Sequence, residues 1–463
     1  MAFRSTVGFR VLGCTLLVPF ALACSSDGKS GGPASSATLP NQPGAAPEGM
    51  APPGTADGQA VPSPSGAGEG LPGNLALGEG GVPSENIGAA CDVSAAELTA
   101  ANTNLPDPFT MHDGTRLTTK AQWACRRNEI KKDIERFEIG TKPEPPTVNA
   151  TLDGGTLNVL VTTGAGSITL SSNVVTVDGD APHCVAIGMG GNSSLINGCV
   201  EVPFMYNQVV NLNYMGMIDQ NDPFYTVYPE LRGKIANYAA WSWGISRIID
   251  GLDQVKDQLN VDMSKIGVHG CSASGKMALF GGALDERVAL TLVQESGGGG
   301  INSWRLSKAF VDRTGVQIEK IDNTNYSWFL QSMQALNPDT LPHDHHELIA
   351  MIAPRAVAIF GNRDQVWLGD ESGYKSTIAA QEVWKALGAE ANFGYDFTTG
   401  HPHCQADTSQ TNTANTFVNK FLLGQDADTK IAIPTTVNGY DAMQAVYDLD
   451  ETKVMDWQTP SLQ

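Results

Sequence analysis

The residues with the most obvious chemical use lie in one short stretch, Val268–Ala278, in which a strand pattern runs directly into a helical one. Ser272 stands at the junction, with Gly270 two residues before it and Gly275 three residues after it. A strand that turns at once into a helix presents one side chain at the edge of the sheet, and small neighbours are needed because the backbone is crowded there. Small residues also occur at ordinary strand–helix junctions. We nevertheless predict that Ser272 is a nucleophile.

Candidate acids and bases follow that serine in the chain. Glu295 and Asp364 each come after an apolar strand pattern, and His401 and His403 come later. Ser, acid and His in this order are typical of the α/β-hydrolase triad, in which the His takes the proton of the Ser and the acid orients the His. The stretch Gly188–Gly191 is placed where such enzymes offer backbone N–H groups to an oxyanion, although a plain tight turn explains it equally well.

The elements that must position these residues alternate between strand and helix. Short apolar, β-branched runs bounded by turn residues predict buried parallel strands at Lys265–His269, Val288–Val293 and Ala356–Phe360. Helical spacing predicts helices over Thr118–Glu138, Ala236–Leu259, the segment ending at Leu284, Thr377–Leu387 and Thr413–Leu423. This alternation predicts an α/β fold with a doubly wound, mostly parallel sheet in a three-layer sandwich.

Composition excludes some partners. The chain has 463 residues and a formal net charge of −20, with 29 basic and 49 acidic residues. Binding to nucleic acid or to an anionic membrane surface uses clustered Lys and Arg, so neither is expected as the main partner.

The first 90 residues have a composition unlike the rest. A basic start, a short apolar run and Ala21-Leu22-Ala23 predict a secretory signal peptide over residues 1–23. Residues 24–90 are rich in Gly, Pro and Ala, and they predict a disordered linker that cannot bury enough apolar surface to fold. Residues 91–463 are then one catalytic domain.

Export gives the cysteines a particular meaning. Cys24 either follows an ordinary signal-peptidase site or is lipidated, which would make an outer-membrane or cell-surface lipoprotein; otherwise the protein is periplasmic or secreted. The six cysteines from Cys91 onward suggest three disulfides, with the pairing open. A metal site is not favoured, because the spacing of His and Cys is unlike that of zinc ligands. The one other candidate for a metal site is the His-rich stretch His343–His346, which we expect instead to cap the start of a helix.

Several motifs together resemble the glucuronoyl esterase family. They run in the family's order from about Cys91 to Leu423, so the combination is specific although each motif is short. The motifs are Leu105–Phe109, Trp241–Gly244, Gly270-Cys271-Ser272 with Gly275-Lys276, Gln294–Gly297, Pro342–His346, Trp367–Gly369 and His403-Cys404.

The resemblance implies roles for the site residues. Ser272 would be the nucleophile and His403 its base, with Glu295 favoured as the acid and Asp364 as the alternative. It also implies a Cys271–Cys404 disulfide beside the catalytic pair and a second disulfide, Cys91–Cys125. Cys184 and Cys199 are then left to pair by elimination.

The resemblance further assigns substrate contacts and shows departures from the family. Lys276 would donate to sugar hydroxyls, and Trp367 would form an apolar wall against the sugar ring. The family usually has Arg after the nucleophile, where this chain has Ala273, so a charged oxyanion donor is lost and only backbone N–H groups at Ala273 and Gly190 remain. Two further contact positions, Gln and Glu in relatives, correspond to Glu319 and Asn325.

The expected function is therefore serine-esterase hydrolysis of (4-O-methyl-)glucuronic acid esters, such as the links between glucuronoxylan and lignin alcohols, by a monomer without metal or cofactor. Two alternatives stay open. One is another polysaccharide esterase, acting on acetyl or feruloyl groups. The other is a surface carbohydrate-binding protein whose catalysis is weakened by Ala273.

Overall fold

The computed structural model describes residues 84–214, 216, 218–398, 400–434 and 450–463. The predicted signal peptide, Cys24 and residues 24–83 of the predicted linker lie outside the described residues. None of the described helices has both the length and the apolar composition needed to cross a lipid bilayer.

The described residues form ten strands and eight α-helices, with short 3₁₀ turns in several loops. The strands are β1 (Thr147–Asp153), β2 (Thr156–Thr162), β3 (Ser167–Asn173), β4 (His183–Gly188), β5 (Val200–Glu201), β6 (Val261–Cys271), β7 (Leu290–Gln294), β8 (Ala356–Phe360), β9 (Phe393–Asp396) and β10 (Ala432–Ile433). The helices are α1 (Trp123–Ile134), α2 (Phe224–Val227), α3 (Asn237–Leu259), α4 (Ala273–Leu284), α5 (Trp304–Thr314), α6 (His345–Ala350), α7 (Asp370–Leu387) and α8 (Thr408–Phe421).

Strands β4–β10 form one parallel sheet in the order β10-β9-β8-β7-β6-β4-β5. The predicted α/β fold with a parallel sheet is confirmed. Strands β1–β3 form a separate antiparallel sheet, of which the sequence indicated only the last two members. In the parallel sheet β6 lies between β4 and β7, so the residue after it is flanked by loops that follow β4 on one side and β7–β9 on the other.

Strands β7, β8 and β9 are buried on both faces, which explains the continuous apolar runs of β7 and β8. Along β7, Leu290 and Leu292 pack with Phe417 of α8, whereas Val293 points to the opposite face, in the larger core that contains α3, α4 and α7. Helices therefore cover both faces, as a three-layer sandwich requires.

The folded part extends further toward the N-terminus than the predicted boundary at Cys91. Glu85 forms ion pairs of 2.5 Å with Lys142 and 2.7 Å with Arg247, and both of these cations are buried. A buried cation without a partner is costly, so Glu85 is part of the domain rather than of a linker.

The histidine-rich segment caps a helix, as its pattern predicts. Asp344 accepts a hydrogen bond from the His345 N–H, and Glu347 closes a capping box at the start of α6. Nε2 of His343 and Nε2 of His345 each lie 2.8 Å from a carboxylate oxygen of buried Glu138. These contacts join the start of α6 to the segment that follows α1.

Candidate active site

Ser272 occupies a sharp turn between β6 and α4. Its backbone has φ 60° and ψ −126°, and its N–H donates to the Gln294 carbonyl at 3.0 Å. A Cβ on Gly270 would lie 2.1 Å from the Ser274 carbonyl oxygen, and one on Gly275 would lie 2.4 Å from that of Gln294. The two glycines predicted to flank a nucleophile are thus required because the start of α4 packs directly against its neighbours.

His403 and Glu295 meet at the same edge of the sheet. Nδ1 of His403 lies 2.7 Å from Oε2 of Glu295, and the Cys404 N–H donates to Oε1 at 3.1 Å. Glu295 is buried, while the His403 side chain is partly open to solvent. Because a carboxylate only accepts, Nδ1 of His403 carries the proton, and Nε2 is left to act as a base.

A disulfide joins the loop of the candidate nucleophile to that of the candidate base. Cys271 and Cys404 are bonded with their Cα atoms 5.6 Å apart, and both Sγ atoms lie within 4.8 Å of a ring nitrogen of His403. The other two bonds are Cys91–Cys125 and Cys184–Cys199, so all three pairs are those named from the sequence.

Backbone strain is concentrated at this site. Among the described residues, four that are not Gly have positive φ: Asn260, Ser272, Glu295 and Cys404. The last three of these belong to the site. Such conformations persist only where the surroundings enforce them, and they cluster at functional sites.

Asn362 links the acid to the histidine loop, although no sequence motif pointed to it. Its Nδ2 lies 3.3 Å from Oε2 of Glu295 and donates to the His401 carbonyl at 2.9 Å. His401 therefore has a structural hydrogen bond and makes no 2.7 Å contact like that of His403. The only sequence signal for Asn362 was its place just after β8.

The alternative acid does not take the place of Glu295 beside the base. The Asp364 N–H donates to Oδ1 of Asn362 at 3.2 Å, and within the described residues it is Glu295 whose carboxylate bonds His403. A further carboxyl, Asp370, is buried nearby, and burial together with the charge of Glu295 raises its pKa to about 8.

The two predicted oxyanion donors differ in their geometry. Ala273 is the first residue of α4, where the backbone N–H has no acceptor one turn earlier within the helix. The Gly190 N–H, in contrast, donates to the Phe204 carbonyl at 2.9 Å. The prediction of Gly190 as an oxyanion donor is therefore corrected, because its N–H is already bonded to Phe204.

Lys276 and Glu319 form a charged pair one helical turn beyond Ser272. Nζ of Lys276 lies 2.6 Å from Oε2 of Glu319, whose other oxygen accepts from Oγ1 of Thr324 at 2.6 Å. The ammonium also lies 4.8 Å from the ring centre of Trp328, within cation–π range. Trp328 carried no signal in the sequence, because its role depends on a contact between distant loops.

Of the two remaining predicted substrate contacts, Trp367 is open to a ligand and Asn325 is not. Trp367 is 49% exposed, and its ring centre lies 4.8 Å from that of His403 in an edge-on arrangement, so it stands beside the base. Asn325 donates to the Asn213 carbonyl at 2.6 Å and accepts from Ser327, which uses its amide within the protein. Asn325 is thus placed as a loop-holding residue and not as an open substrate contact.

Comparisons with known proteins agree with this arrangement. Residues 159–388 match the family model described as "Glucuronyl esterase, fungi". A 4-O-methyl-glucuronoyl methylesterase of Schizophyllum commune is 37% identical over 387 residues, covering 80% of this chain and 94% of that protein. One of Thermothelomyces thermophilus is 38% identical, covering 72% and 85%.

Solved structures give the same result. The glucuronoyl esterase catalytic domain from Hypocrea jecorina aligns with TM-score 0.72 at 33% identity, covering 80% of this chain and 99% of that one. A serine-to-alanine mutant of the Sporotrichum thermophile glucuronoyl esterase, in complex with methyl 4-O-methyl-β-D-glucopyranuronate, aligns with TM-score 0.70 at 33% identity, covering 81% and 100%. The chain belongs to the glucuronoyl esterase family.

Proposed function

We propose that the protein hydrolyses esters of 4-O-methyl-glucuronic acid by a serine-esterase mechanism that uses Ser272, His403 and Glu295. The observation that carries the proposal is the 2.7 Å contact between His403 and Glu295 beside the strained turn at Ser272. The proposed substrate class is supported by the two relatives named above, which are 4-O-methyl-glucuronoyl methylesterases.

The chemical steps follow from that geometry. Nε2 of His403 takes the proton of the Ser272 hydroxyl, whose oxygen attacks the uronoyl carbonyl. The Ala273 N–H stabilises the oxyanion, aided by the positive end of α4. His403 then passes its proton to the departing alcohol. Water, deprotonated by the same His, releases the acid and restores Ser272.

Lys276 and Trp367 hold the sugar in this proposal. The Lys276 ammonium, already oriented by Glu319, has further N–H donors for sugar hydroxyls, and the exposed Trp367 ring covers an apolar face of the sugar. The natural ester would be one that joins glucuronoxylan to a lignin alcohol.

The three disulfides fit an exported protein, since such bonds persist in oxidising compartments. We extend the proposal to a secretory signal over residues 1–23. A lipid on Cys24 stays a prediction, and mass analysis of the mature N-terminus tests it.

A substrate panel tests the function. Purified protein is assayed with methyl glucuronate ester, acetylated xylan and methyl ferulate under the same conditions. The proposal expects turnover of the glucuronate ester at least tenfold above that of the other two. A preference for acetyl or feruloyl groups would identify another polysaccharide esterase. Xylan binding without hydrolysis would identify a carbohydrate-binding protein.

A further inference from the structure

A buried histidine, His269, lies on β6 three residues before Ser272, and the chemical steps described above do not use it. Burial lowers its pKa to about 4, so the ring is neutral at neutral pH. Nδ1 of His269 lies 3.1 Å from Oγ of Ser193, and Nε2 lies 3.4 Å from Oε1 of Gln294. A neutral imidazole donates through one nitrogen and accepts through the other, so one of these contacts is donated and the other is accepted.

Ser193 determines which ring nitrogen is the donor. Its Oγ accepts from the backbone N–H of Leu195 at 3.3 Å and from that of Ile196 at 2.9 Å, in the loop after β4. Both lone pairs of the hydroxyl are used in this way, so its proton is left to donate to Nδ1 of His269. Nε2 of His269 therefore carries the ring proton and donates it to Oε1 of Gln294.

Gln294, the last residue of β7, extends this chain to the acid. Because its Oε1 accepts from His269, its amide nitrogen points the other way and lies 3.4 Å from Oε1 of Glu295. An amide nitrogen only donates, so in this orientation it stabilises the carboxylate. The main-chain carbonyl of Gln294 accepts from the Ser272 N–H at 3.0 Å. One residue thus contacts both the nucleophile turn and the acid.

The amide of Gln294 completes the donors around Glu295. Oε1 of Glu295 accepts from the Cys404 N–H and faces this amide, while Oε2 lies against His403 and the Asn362 amide. The two 3.4 Å contacts of the chain are long for hydrogen bonds, so they matter for the orientation they impose more than for their strength. A reversed amide would place its oxygen against the carboxylate, where two acceptors repel each other.

We propose that His269 is a positioning residue of the esterase reaction, which acts by turning the Gln294 amide so that an N–H faces Glu295. The chain from Ser193 through His269 and Gln294 joins the loop after β4 to the acid that orients His403. This inference rests on the proposed function, because it takes Glu295 as the acid of the triad.

Two substitutions at His269 separate a hydrogen bond from the filling of space. His269→Phe keeps a planar ring and removes both nitrogens, whereas His269→Gln places an amide nitrogen near the position of Nε2 and keeps a donor to Gln294. Gln294→Met removes the amide from the same chain at nearly constant volume. Thr291→Val, at another buried polar residue of β7, is the matched control. For each protein, kcat and KM for methyl glucuronate are measured, and kcat is expressed per reactive serine counted with a covalent phosphonate inhibitor.

His269→Phe and Gln294→Met should each lower kcat about tenfold and leave KM within about twofold, because a less well oriented acid slows the reaction without weakening substrate binding. His269→Gln and Thr291→Val should keep kcat within about threefold of the wild type. If His269→Phe and Gln294→Met both keep the wild-type kcat, or if His269→Gln loses as much as His269→Phe, the proposal is wrong.

A double-mutant cycle shows whether the effect passes through Glu295. In a Glu295→Gln background the carboxylate is absent, so adding His269→Phe should lower kcat by less than about twofold. A further tenfold loss in that background would mean that His269 supports the fold in general, and it would overturn the proposal. If the wild type does not hydrolyse methyl glucuronate, the proposed function fails and the inference fails with it. Wild-type turnover with unchanged variants rejects the inference alone.

Discussion

Nδ1 of His403 lies 2.7 Å from Oε2 of Glu295, a carboxylate that is almost completely buried. This contact fixes which ring nitrogen carries the proton, and it leaves the other ring nitrogen to act as the base. Glu295 also accepts from the Cys404 N–H and is approached by Asn362, so its position is determined from several sides. Glu295 therefore sets the tautomer of His403 and holds its ring in place.

The choice of acid gives the first prediction. Glu295→Gln should lower kcat by about 10²–10⁴-fold, because an amide in that place favours the wrong histidine tautomer. Asp364→Asn is the matched control, since Asp364 does not bond His403, and it should change kcat by less than about threefold. Steady-state kinetics on methyl glucuronate measures both. Equal losses in the two variants would contradict the assignment.

The charged pair beside the nucleophile gives a second prediction. Lys276→Met should raise KM about tenfold or more, with a smaller effect on kcat, since a hydrogen bond from a charged donor is worth about 1.5–3 kcal/mol. Lys308→Met, at a partly exposed lysine of α5, should leave both parameters unchanged. If Lys276→Met lowered kcat and left KM unchanged, the assignment of Lys276 to sugar binding would be wrong.

The disulfide beside the site should matter for catalysis as well as for stability. The Cys271→Ala/Cys404→Ala double variant should lose about 2–4 kcal/mol of unfolding free energy, because the bond joins residues 133 apart. We also expect kcat to fall at least tenfold, since small displacements of reacting groups are costly. Denaturant unfolding and kinetics on the same samples measure the two effects.

The control for this variant is Cys91→Ala/Cys125→Ala, which opens a bond spanning 34 residues that joins the N-terminal segment to α1. Its stability should fall while kcat stays near the wild-type value. If both double variants lose kcat to the same extent, the Cys271–Cys404 bond has no special role in positioning.

A buried histidine predicts how stability depends on pH. Burial lowers the pKa of His269 to about 4. The folded state therefore binds fewer protons than the unfolded state below pH 6.5, and stability should fall as the pH drops from 6.5 toward 4, by about 3 kcal/mol at most from this group.

The His269→Gln variant should show a weaker fall in unfolding free energy over that range. His183→Gln, at a partly exposed histidine of β4, is the control and should keep the wild-type slope. Urea unfolding at a series of pH values gives the slopes, and an unchanged slope in His269→Gln would show that another group is responsible.

Much of the fold was predictable because its signals are local. The apolar runs of β7 and β8 and the small residues around Ser272 mark strands and a turn that neighbouring residues determine. The start of α7 was predicted at Thr377, but the helix begins at Asp370. Its first turns bury polar residues, including Glu371, which pairs with Arg313, and hydrophobic spacing does not register such contacts.

The parts of the site that could not be predicted depend on contacts between distant segments. The sequence indicated Lys276 and Glu319 separately, but not that they would bind each other across 43 residues. Trp328 below Lys276 has the same origin. The hydrogen bond from the Gly190 N–H to the Phe204 carbonyl also joins two separate segments, so only the folded structure shows it.

The most direct test of the account is the loss of esterase activity in Ser272→Ala. The value of kcat/KM for methyl glucuronate is measured for the wild type, for Ser272→Ala and for Ser274→Ala, a serine two residues further along in α4. The account predicts that Ser272→Ala loses at least about 10³-fold, while Ser274→Ala stays within about tenfold of the wild type. Full turnover in Ser272→Ala would contradict it.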